Sequence, residues 1–425
     1  MRWCLCVKGA LCRLSIQIYF RRLAFHFNMA NIKKARRVPH FFDALLCWRS
    51  ITESPMSIEQ RLKEIRRESS SDAAGDPERF RRVALTEYEM MSQGEAISAT
   101  LEANRGPLTD IGRDLAGRTI RRVVTVGCGD SWIAGHGVRP AIEAALGAPC
   151  EPVEAFDFAT YGLHTIDAET VVIGLSSSGK TEPVVEGLTA SAARGAYTIG
   201  LSNTLGSPLM EQCPGALHIR ATRGGWPTQS STAAMALMLA MAASVQKAKG
   251  GDSSALEAAL DALPGQVDDV AQAFYEPAKA VAKHLARADL ILTTGAGPFF
   301  APAEFGAAKL KELAPIHAYS FPLEEYHHYR TQKAGDPMFM VAGDAESHAR
   351  ALETAIMSRG CEGYCVALVP EGETEIAEIA DVAWHLPLVP AETAPIIYSV
   401  PLHLFGYHAA VERDALGLGA PRLGL

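Results

Sequence analysis

The chain has 425 residues, 48% hydrophobic and 21% charged, a composition typical of globular domains with their own cores. Its net charge of −8 is unevenly distributed, because residues 1–50 carry ten Lys or Arg and a single acid, Asp43. The rest is strongly acidic, which disfavours nucleic acid and membranes as partners and favours small-molecule chemistry.

The first 55 residues form a basic extension that contains four of the nine cysteines. Three interpretations are open: a transit-type peptide, a basic arm, or translated upstream sequence that precedes a natural start at Met56. We favour the third, because MSIEQRLKEIRRE begins a segment typical of an ordinary acidic, helical protein. The apolar stretches before Met56 are too short, and too often interrupted by Arg, to cross a bilayer.

Residues 56–118 are predicted to be a helical segment, and from residue 119 short apolar runs alternate with helices. The runs RRVVTV, ETVVIGL, AYTIGL and ALHIR are predicted strands, and this alternation is typical of a parallel sheet. The apolar part of the next helix, about Thr232 to Val245, is too short to span a membrane, so we predict a buried helix. Residues 251–285 are predicted to be an amphipathic connector, broken near Pro264.

The second half repeats the pattern of the first. ADLILTTGAGPFF echoes VVTVGCGDSWI, and DPMFMVAGDAESHARALETAI echoes ETVVIGLSSSGKTEPVVEGL. The predicted fold is therefore α/β, with two tandem domains at 119–250 and 286–425, each a parallel sheet flanked by helices. The second copy reads AGDAESHA where the first reads GLSSSGKT, so one copy has lost a serine-rich loop.

That loop, GLSSSGKT at 174–181, matches the phosphate loop of nucleotide hydrolases. An ATPase also needs a later strand ending in a Mg²⁺-binding Asp, and the following strand ends instead in SNTLGSPL. The favoured interpretation is that Ser176, Ser178 and Thr181, with backbone N–H groups at a helix N-terminus, bind a phosphate monoester without a metal or cofactor. The alternative is that these hydroxyls only cap the helix, but capping would need just one of them. Lys180 is predicted to face solvent.

The cysteines after the extension show no paired framework. Cys361 and Cys365 lack a second pair of ligands, which disfavours a metal site. Buried thiols in a reducing cytoplasm are the better interpretation, so we predict a cytoplasmic protein.

A candidate acid–base residue lies on the helix predicted for PAEFGAAKLKELAPIHA. Ala301, Phe305 and Glu312 share one face, which is expected to be buried, while Lys309 and Lys311 are predicted to lie off that face. A carboxylate on a buried face is uncommon unless it is paired or functional, and burial would raise its pKa. The alternative is an ordinary ion pair between Glu312 and Lys309.

Several motifs together carry a family resemblance. GCGDS (127–131), SSSGKT (176–181), SNTLGSPL (202–209) and SST (230–232) occur in the order and spacing of sugar isomerase (SIS) domains. EFGAAKLKELAPIHAYSFPLEEYHH (304–328) resembles the isomerase part of glutamine–fructose-6-phosphate aminotransferase and the fructosamine-phosphate deglycases. The resemblance covers roughly residues 80–425, and it implies two SIS domains and a sugar 6-phosphate ligand.

The resemblance also implies roles by position. Ser176, Ser178 and Thr181 would hold the phosphate, and Ser177 stands where the family often has Gln. Asp130 departs from the usual Thr or Gly and would either meet the substrate or cap its helix. The full set of implied substrate-binding residues is Cys128, Gly129, Asp130, Ser131, Ser176, Ser177, Ser178, Thr181 and Ser231.

Two further residues are implied to be catalytic. Glu312 closes the KLKE motif at the family's proton-transfer base, and His328 matches the ring-opening His, with His327 its rival. Tyr329-Arg330 follows where the family has Gly-Pro, and a surface His pair is the alternative. In the family this His reaches a neighbouring subunit's site, so a homodimer with shared active sites is expected.

The resulting prediction is an enzyme that moves a proton between C1 and C2 of a 6-phosphorylated ketose or ketosamine, as an isomerase or a deglycase. Phe305 stands where the aminotransferases have Glu, the chain stops before their C-terminal Lys, and no amidotransferase domain precedes residue 80. Glutaminase activity is therefore not expected. A phosphosugar-sensing regulatory protein is the alternative; it would need the serine loop but not Glu312.

Overall fold

The computed structural model describes residues 57–67 and 73–419. Helix α1 (Ile58–Arg67) belongs to a first unit of the chain and carries an ion pair between Lys63 and Glu59. All other described elements belong to a second unit, which begins at residue 70.

Three helices open the second unit, as the sequence predicted. They are α2 (Pro77–Met91), α3 (Gln93–Ala103) and α4 (Arg105–Ala116). Asp76 caps α2 by accepting the backbone N–H groups of Glu78 and Arg79, and Pro77 occupies the first helical position. The start of α2 is thus fixed by residues next to it in the sequence.

The first parallel sheet has the strand order β2-β1-β3-β4-β5. Its inner strands are buried on both faces, which is why they appear in the sequence as nearly unbroken apolar runs. The strands are β1 (Arg122–Gly127), β2 (Cys150–Glu154), β3 (Thr170–Leu175), β4 (Tyr197–Ser202) and β5 (Gly215–His218). The helices are α5 (Asp130–Leu146), α6 (Glu182–Ala193), α7 (Pro208–Gln212) and α8 (Gln229–Ala248).

The second sheet has the order β10-β9-β8-β6-β7, so from its other edge it repeats the topology of the first. The two tandem parallel sheets predicted from the repeat are confirmed. The strands are β6 (Leu290–Gly295), β7 (His317–Pro322), β8 (Pro337–Val341), β9 (Tyr364–Pro370) and β10 (Val382–Leu386). The helices are α9 (Ser254–Leu285), α10 (Phe300–Leu313), α11 (Leu323–Tyr329), α12 (Ala345–Gly360), α13 (Glu375–Ile379) and α14 (Ala394–Ala415).

Four elements differ from the prediction. The connector is one continuous helix, α9, because an apolar face running from Leu260 to Leu285 packs along its length and outweighs Pro264. Helix α10 ends at Leu313, just before Pro315, rather than continuing through PIHA. Strands β2 and β7 were not predicted. Both are edge strands, and their sequences mix apolar with polar residues instead of forming an apolar run.

Helix α8 is buried along most of its length, as predicted. Among the described residues, none of the helices combines the length and apolar character needed to cross a membrane.

Candidate functional site

A cavity of about 360 Å³ lies at the carboxyl edge of the first sheet. The loops after β1 and β3 contribute to it, and these two strands flank the point where the strand order reverses, the usual ligand position in open α/β sheets. The second half contributes Glu312 from α10, and α2 contributes Arg82. The predicted residues that line the cavity are Cys128, Gly129, Asp130, Ser131, Ser177, Ser178, Thr181, Ser231 and Glu312.

Ser176, in contrast, does not line this cavity, because its side chain is turned into the serine loop and is only 2% exposed. Its hydroxyl lies 2.7 Å from Thr181 Oγ1 and accepts the backbone N–H of Gly179 at 3.1 Å. Lys180 is exposed, as predicted. Ser176 thus shapes the loop, while Ser177, Ser178 and Thr181 face the cavity.

The SNTLGSPL segment supports the same loop. Ser177 donates its hydroxyl to Asn203 Oδ1 at 3.0 Å, and Asn203 in turn donates to Ser230 Oγ at 3.0 Å. Asn203, which was not among the predicted site residues, lines the cavity and joins the loop after β3 to the start of α8.

Gly179 is expected to be indispensable to this loop. It has φ +65°, and an added Cβ would lie 2.0 Å from Ser207 Oγ and 2.3 Å from Ser207 Cβ. Gly179→Ala is therefore expected to cost about 2 kcal/mol of unfolding free energy and to weaken phosphate-ester binding at least tenfold. Denaturant unfolding and calorimetric titration with fructose 6-phosphate measure both. Lys180→Ala, one residue away and exposed, serves as the control; equal affinity in the two variants would contradict the assignment of this loop.

A buried ammonium group joins the two halves of the molecule at the cavity. Lys309 Nζ donates to Asp130 Oδ2 at 2.8 Å, to the carbonyl oxygen of Pro227 at 2.6 Å and to Glu312 Oε2. These three bonds use all three ammonium hydrogens. Asp130 also accepts the Ser231 hydroxyl at 3.1 Å. Asp130 does not cap α5 with its side chain; it holds Lys309.

The prediction that Lys309 lies off the buried face of α10 is wrong. Its side chain is 0% exposed, whereas Glu312 retains 35% exposure toward the cavity and Asp130 11%. The reason is that α10 is enclosed by both α14 and α5, so more than one face is covered. Lys309 is accommodated there because two carboxylates neutralise it.

The pKa values of Lys309 and Glu312 are both raised, but for different reasons. Burial alone would lower the pKa of Lys309, but Asp130 and Glu312 together raise it, so the ammonium stays charged. Burial raises the pKa of the Glu312 carboxyl above its ordinary value, while Lys309 opposes the shift. Glu312 is thus a partly exposed carboxylate with an increased affinity for protons, as a general base requires.

The loop after β5 is shaped by a buried acid on α2. Glu89 accepts the backbone N–H groups of Gly224 at 2.7 Å and Gly225 at 3.2 Å, and the Thr222 hydroxyl at 2.8 Å. This arrangement presents Arg223 at the cavity, where it donates to the Ser177 carbonyl oxygen at 2.8 Å. Glu89 and Arg223 could not be identified as site residues from the sequence, because no motif connects α2 with the loop.

The two histidines lie away from this cavity. His328, on α11, is exposed and does not line it. His327 Nε2 lies 2.9 Å from Thr354 Oγ1, and burial lowers the pKa of the His327 imidazole. The structure therefore brings Glu312 together with the serine loop, but not His328.

Comparison with known proteins identifies the family of the chain. The SIS domain model matches residues 118–245 and 284–413, and the chain belongs to the SIS-domain family. It is 29% identical over 299 residues to a glutamine–fructose-6-phosphate aminotransferase of Bacteroides thetaiotaomicron, covering 68% of this chain and 48% of the relative. The corresponding enzyme of a Thermus thermophilus strain is 30% identical over 314 residues, 71% of this chain and 51% of the relative.

Solved structures share the fold. The C-terminal domain of glucosamine-fructose-6-phosphate aminotransferase from Francisella tularensis superposes with a TM-score of 0.69 at 21% identity, covering 81% of this chain and 98% of that domain. Tagatose-6-phosphate ketose/aldose isomerase from Escherichia coli gives a TM-score of 0.63 at 17% identity, covering 77% and 92%. The chain thus has the fold of phosphosugar isomerases, and it spans about half the length of the curated relatives above.

Proposed function

We propose that the chain is a phosphosugar enzyme that catalyses proton transfer between C1 and C2 of a 6-phosphorylated ketose or ketosamine. The observation that carries the proposal is that the hydroxyls of Ser177, Ser178 and Thr181 and the carboxylate of Glu312 line one cavity of about 360 Å³. The hydroxyls suit a phosphate, and the carboxylate suits a base acting at the other end of the sugar.

In the proposed isomerisation, Glu312 takes a proton from C1 of the open-chain ketose while the C2 carbonyl oxygen gains one, giving an enediol. The protonated carboxyl then returns its proton to C2, and the C1 hydroxyl loses its proton to form the aldehyde. Lys309 has no free hydrogen for the substrate, so its role here is to position Glu312.

With a ketosamine the same base leads to deglycation. Removal of the C1 proton gives an enolamine, and protonation at C2 converts it to an imine at C1. Water then hydrolyses the imine to glucose 6-phosphate and the free amine. The cavity residues therefore support either an isomerase or a fructosamine-6-phosphate deglycase. Glutaminase chemistry is not part of the proposal.

The proposal includes a cytoplasmic location and a homodimer. Because His328 does not line the cavity of its own chain, its proposed ring-opening role requires the site of a neighbouring subunit. The family resemblance implies the same arrangement, and His327 is the alternative residue for the ring-opening role.

A substrate screen tests the proposal. Fructose 6-phosphate, glucosamine 6-phosphate and fructosamine 6-phosphates are incubated with the wild type, and products are separated by chromatography. Turnover of a ketose or ketosamine phosphate is expected. If a compound binds tightly but none is turned over, the proposed enzymatic activity is overturned in favour of a phosphosugar sensor. ATP hydrolysis that is lost in Lys180→Ala would instead establish the nucleotide interpretation.

Arg223 is expected to strengthen phosphate binding. Its Nη1 donates to the Ser177 carbonyl oxygen at 2.8 Å and to Thr204 Oγ1 at 3.2 Å, which places a cation beside the serine loop. Arg223→Gln is expected to raise KM for the phosphorylated substrate about tenfold with little change in kcat, since the contact is made equally before and during reaction. The matched control is Arg220→Gln, an exposed residue three positions earlier. A loss of kcat at constant KM would contradict a phosphate-binding role.

A further inference from the structure

Arg82 is a second cation at the cavity, on the side of Glu312 rather than of the serine loop. It projects from α2, lines the cavity, and is close enough to Glu312 for its charge to favour the ionised carboxylate. Arg223, by contrast, contacts the phosphate loop itself. Two guanidinium groups therefore line the cavity: Arg223 bonds to the serine loop, and Arg82 lies near Glu312.

The Arg82 guanidinium is held in place without a carboxylate partner. Its Cζ lies over the Trp226 ring, 4.2 Å from the centroid, and Nη2 donates to the Gly225 carbonyl oxygen at 3.4 Å. Within the described ranges, no Asp or Glu forms an ion pair with it. A cation–π contact holds a guanidinium against the ring while leaving its remaining N–H groups free to bind an anion.

The sugar part of the substrate offers no anionic group for Arg82 to bind. If its phosphate lies on the serine loop and its C1–C2 edge lies at Glu312, the group next to Arg82 is the substituent at C1. A C1 that undergoes proton transfer cannot itself be a carboxylate. An anion at this place therefore belongs to the amine component of a ketosamine, and a carboxylate matches the forked donors of Arg.

We propose that Arg82 is a specificity residue for a carboxylate on the amine attached at C1, so that the preferred substrate is the 6-phosphorylated ketosamine of an amino acid. This inference rests on the proposed function, because it assumes a sugar phosphate bound with C1 at Glu312. It selects the deglycase over the simple isomerase.

Binding of two inert analogues tests the inference without turnover. Both are 1-amino-1-deoxyhexitol 6-phosphates, which lack the C2 carbonyl; one carries glycine on nitrogen and the other ethanolamine. The wild type is expected to bind the glycine conjugate about tenfold or more tightly in calorimetric titration. Arg82→Gln is expected to remove that preference while leaving the ethanolamine conjugate nearly unchanged.

Arg81→Gln is the matched control, because Arg81 is exposed on the same helix and pairs with Glu78. It is expected to retain the preference. Equal affinity of the wild type for the two conjugates, or a preference that survives Arg82→Gln, would overturn the inference. Failure of the proposed function is separately visible: neither corresponding ketosamine would be consumed, whatever the analogues show.

Discussion

Glu312→Gln is expected to lower kcat by about two to four orders of magnitude, with substrate affinity changed only a few-fold. The amide cannot accept a proton from C1, but it has nearly the same shape and still offers an oxygen to Lys309 Nζ. Lys309 also keeps its bonds to Asp130 and Pro227. The unfolding free energy is therefore expected to change by about 1 kcal/mol or less, so that lost activity reports lost chemistry.

The pH profile gives an independent measurement. Glu312 acts as a base only when ionised, and burial raises its pKa above the ordinary value of 4.5, so kcat/KM is expected to decline as pH falls through a value above 4.5. The matched control is Glu346→Gln, an exposed acid on α12, which should keep both rate and profile. Wild-type turnover in Glu312→Gln would exclude this residue as the base.

Lys309→Met is expected to have the largest effect on stability. Its ammonium is fully buried and donates to two carboxylates and one carbonyl oxygen. Removing it takes away the cation that bonds to both Asp130 and Glu312. Loss of one partner of a buried pair costs about 3–5 kcal/mol, and because Glu312 is partly open to the cavity, we expect about 2–4 kcal/mol here.

The pH dependence of that loss distinguishes charge from packing. In Lys309→Met nothing from Lys309 opposes burial and the Asp130 charge, both of which raise the pKa of Glu312 in the folded state, so the native protein binds an extra proton as pH falls. The deficit relative to wild type is therefore expected to be largest near about pH 8 and to shrink toward about pH 5. Lys311→Met, on the same helix with an exposed side chain, is the control. A deficit independent of pH would mean that the role of Lys309 is steric.

The sequence was informative where the pattern is local or repeated. Unbroken apolar runs predicted the inner strands, and the echo between the halves predicted two sheets of one topology. The serine loop was identified from hydroxyls at a strand–helix junction. Edge strands such as β2 and β7 were missed, because a strand exposed on one side lacks a continuous apolar run.

Contacts between distant segments were beyond sequence reasoning. Periodicity along α10 predicts one buried face, and it cannot show that α5 covers the helix from another side and buries Lys309. Likewise, Glu89 and Arg82 look like ordinary charged residues of α2 until the loop at 222–227 is seen against them. Ser176 was predicted to face the ligand, and the structure instead turns its hydroxyl inward.

The bond between Lys309 and Asp130 makes the two copies depend on each other. The Lys309–Asp130 bond joins α10 to α5 and, through Lys309, holds Glu312 of the second copy at the cavity loops of the first, so a substitution there would affect both halves at once. The AGDAESHA segment of the second copy does not line this cavity. Its Asp344 instead caps α12 by accepting the Ser347 backbone N–H at 2.8 Å. The cavity thus draws Glu312 from the second copy and the serine loop from the first.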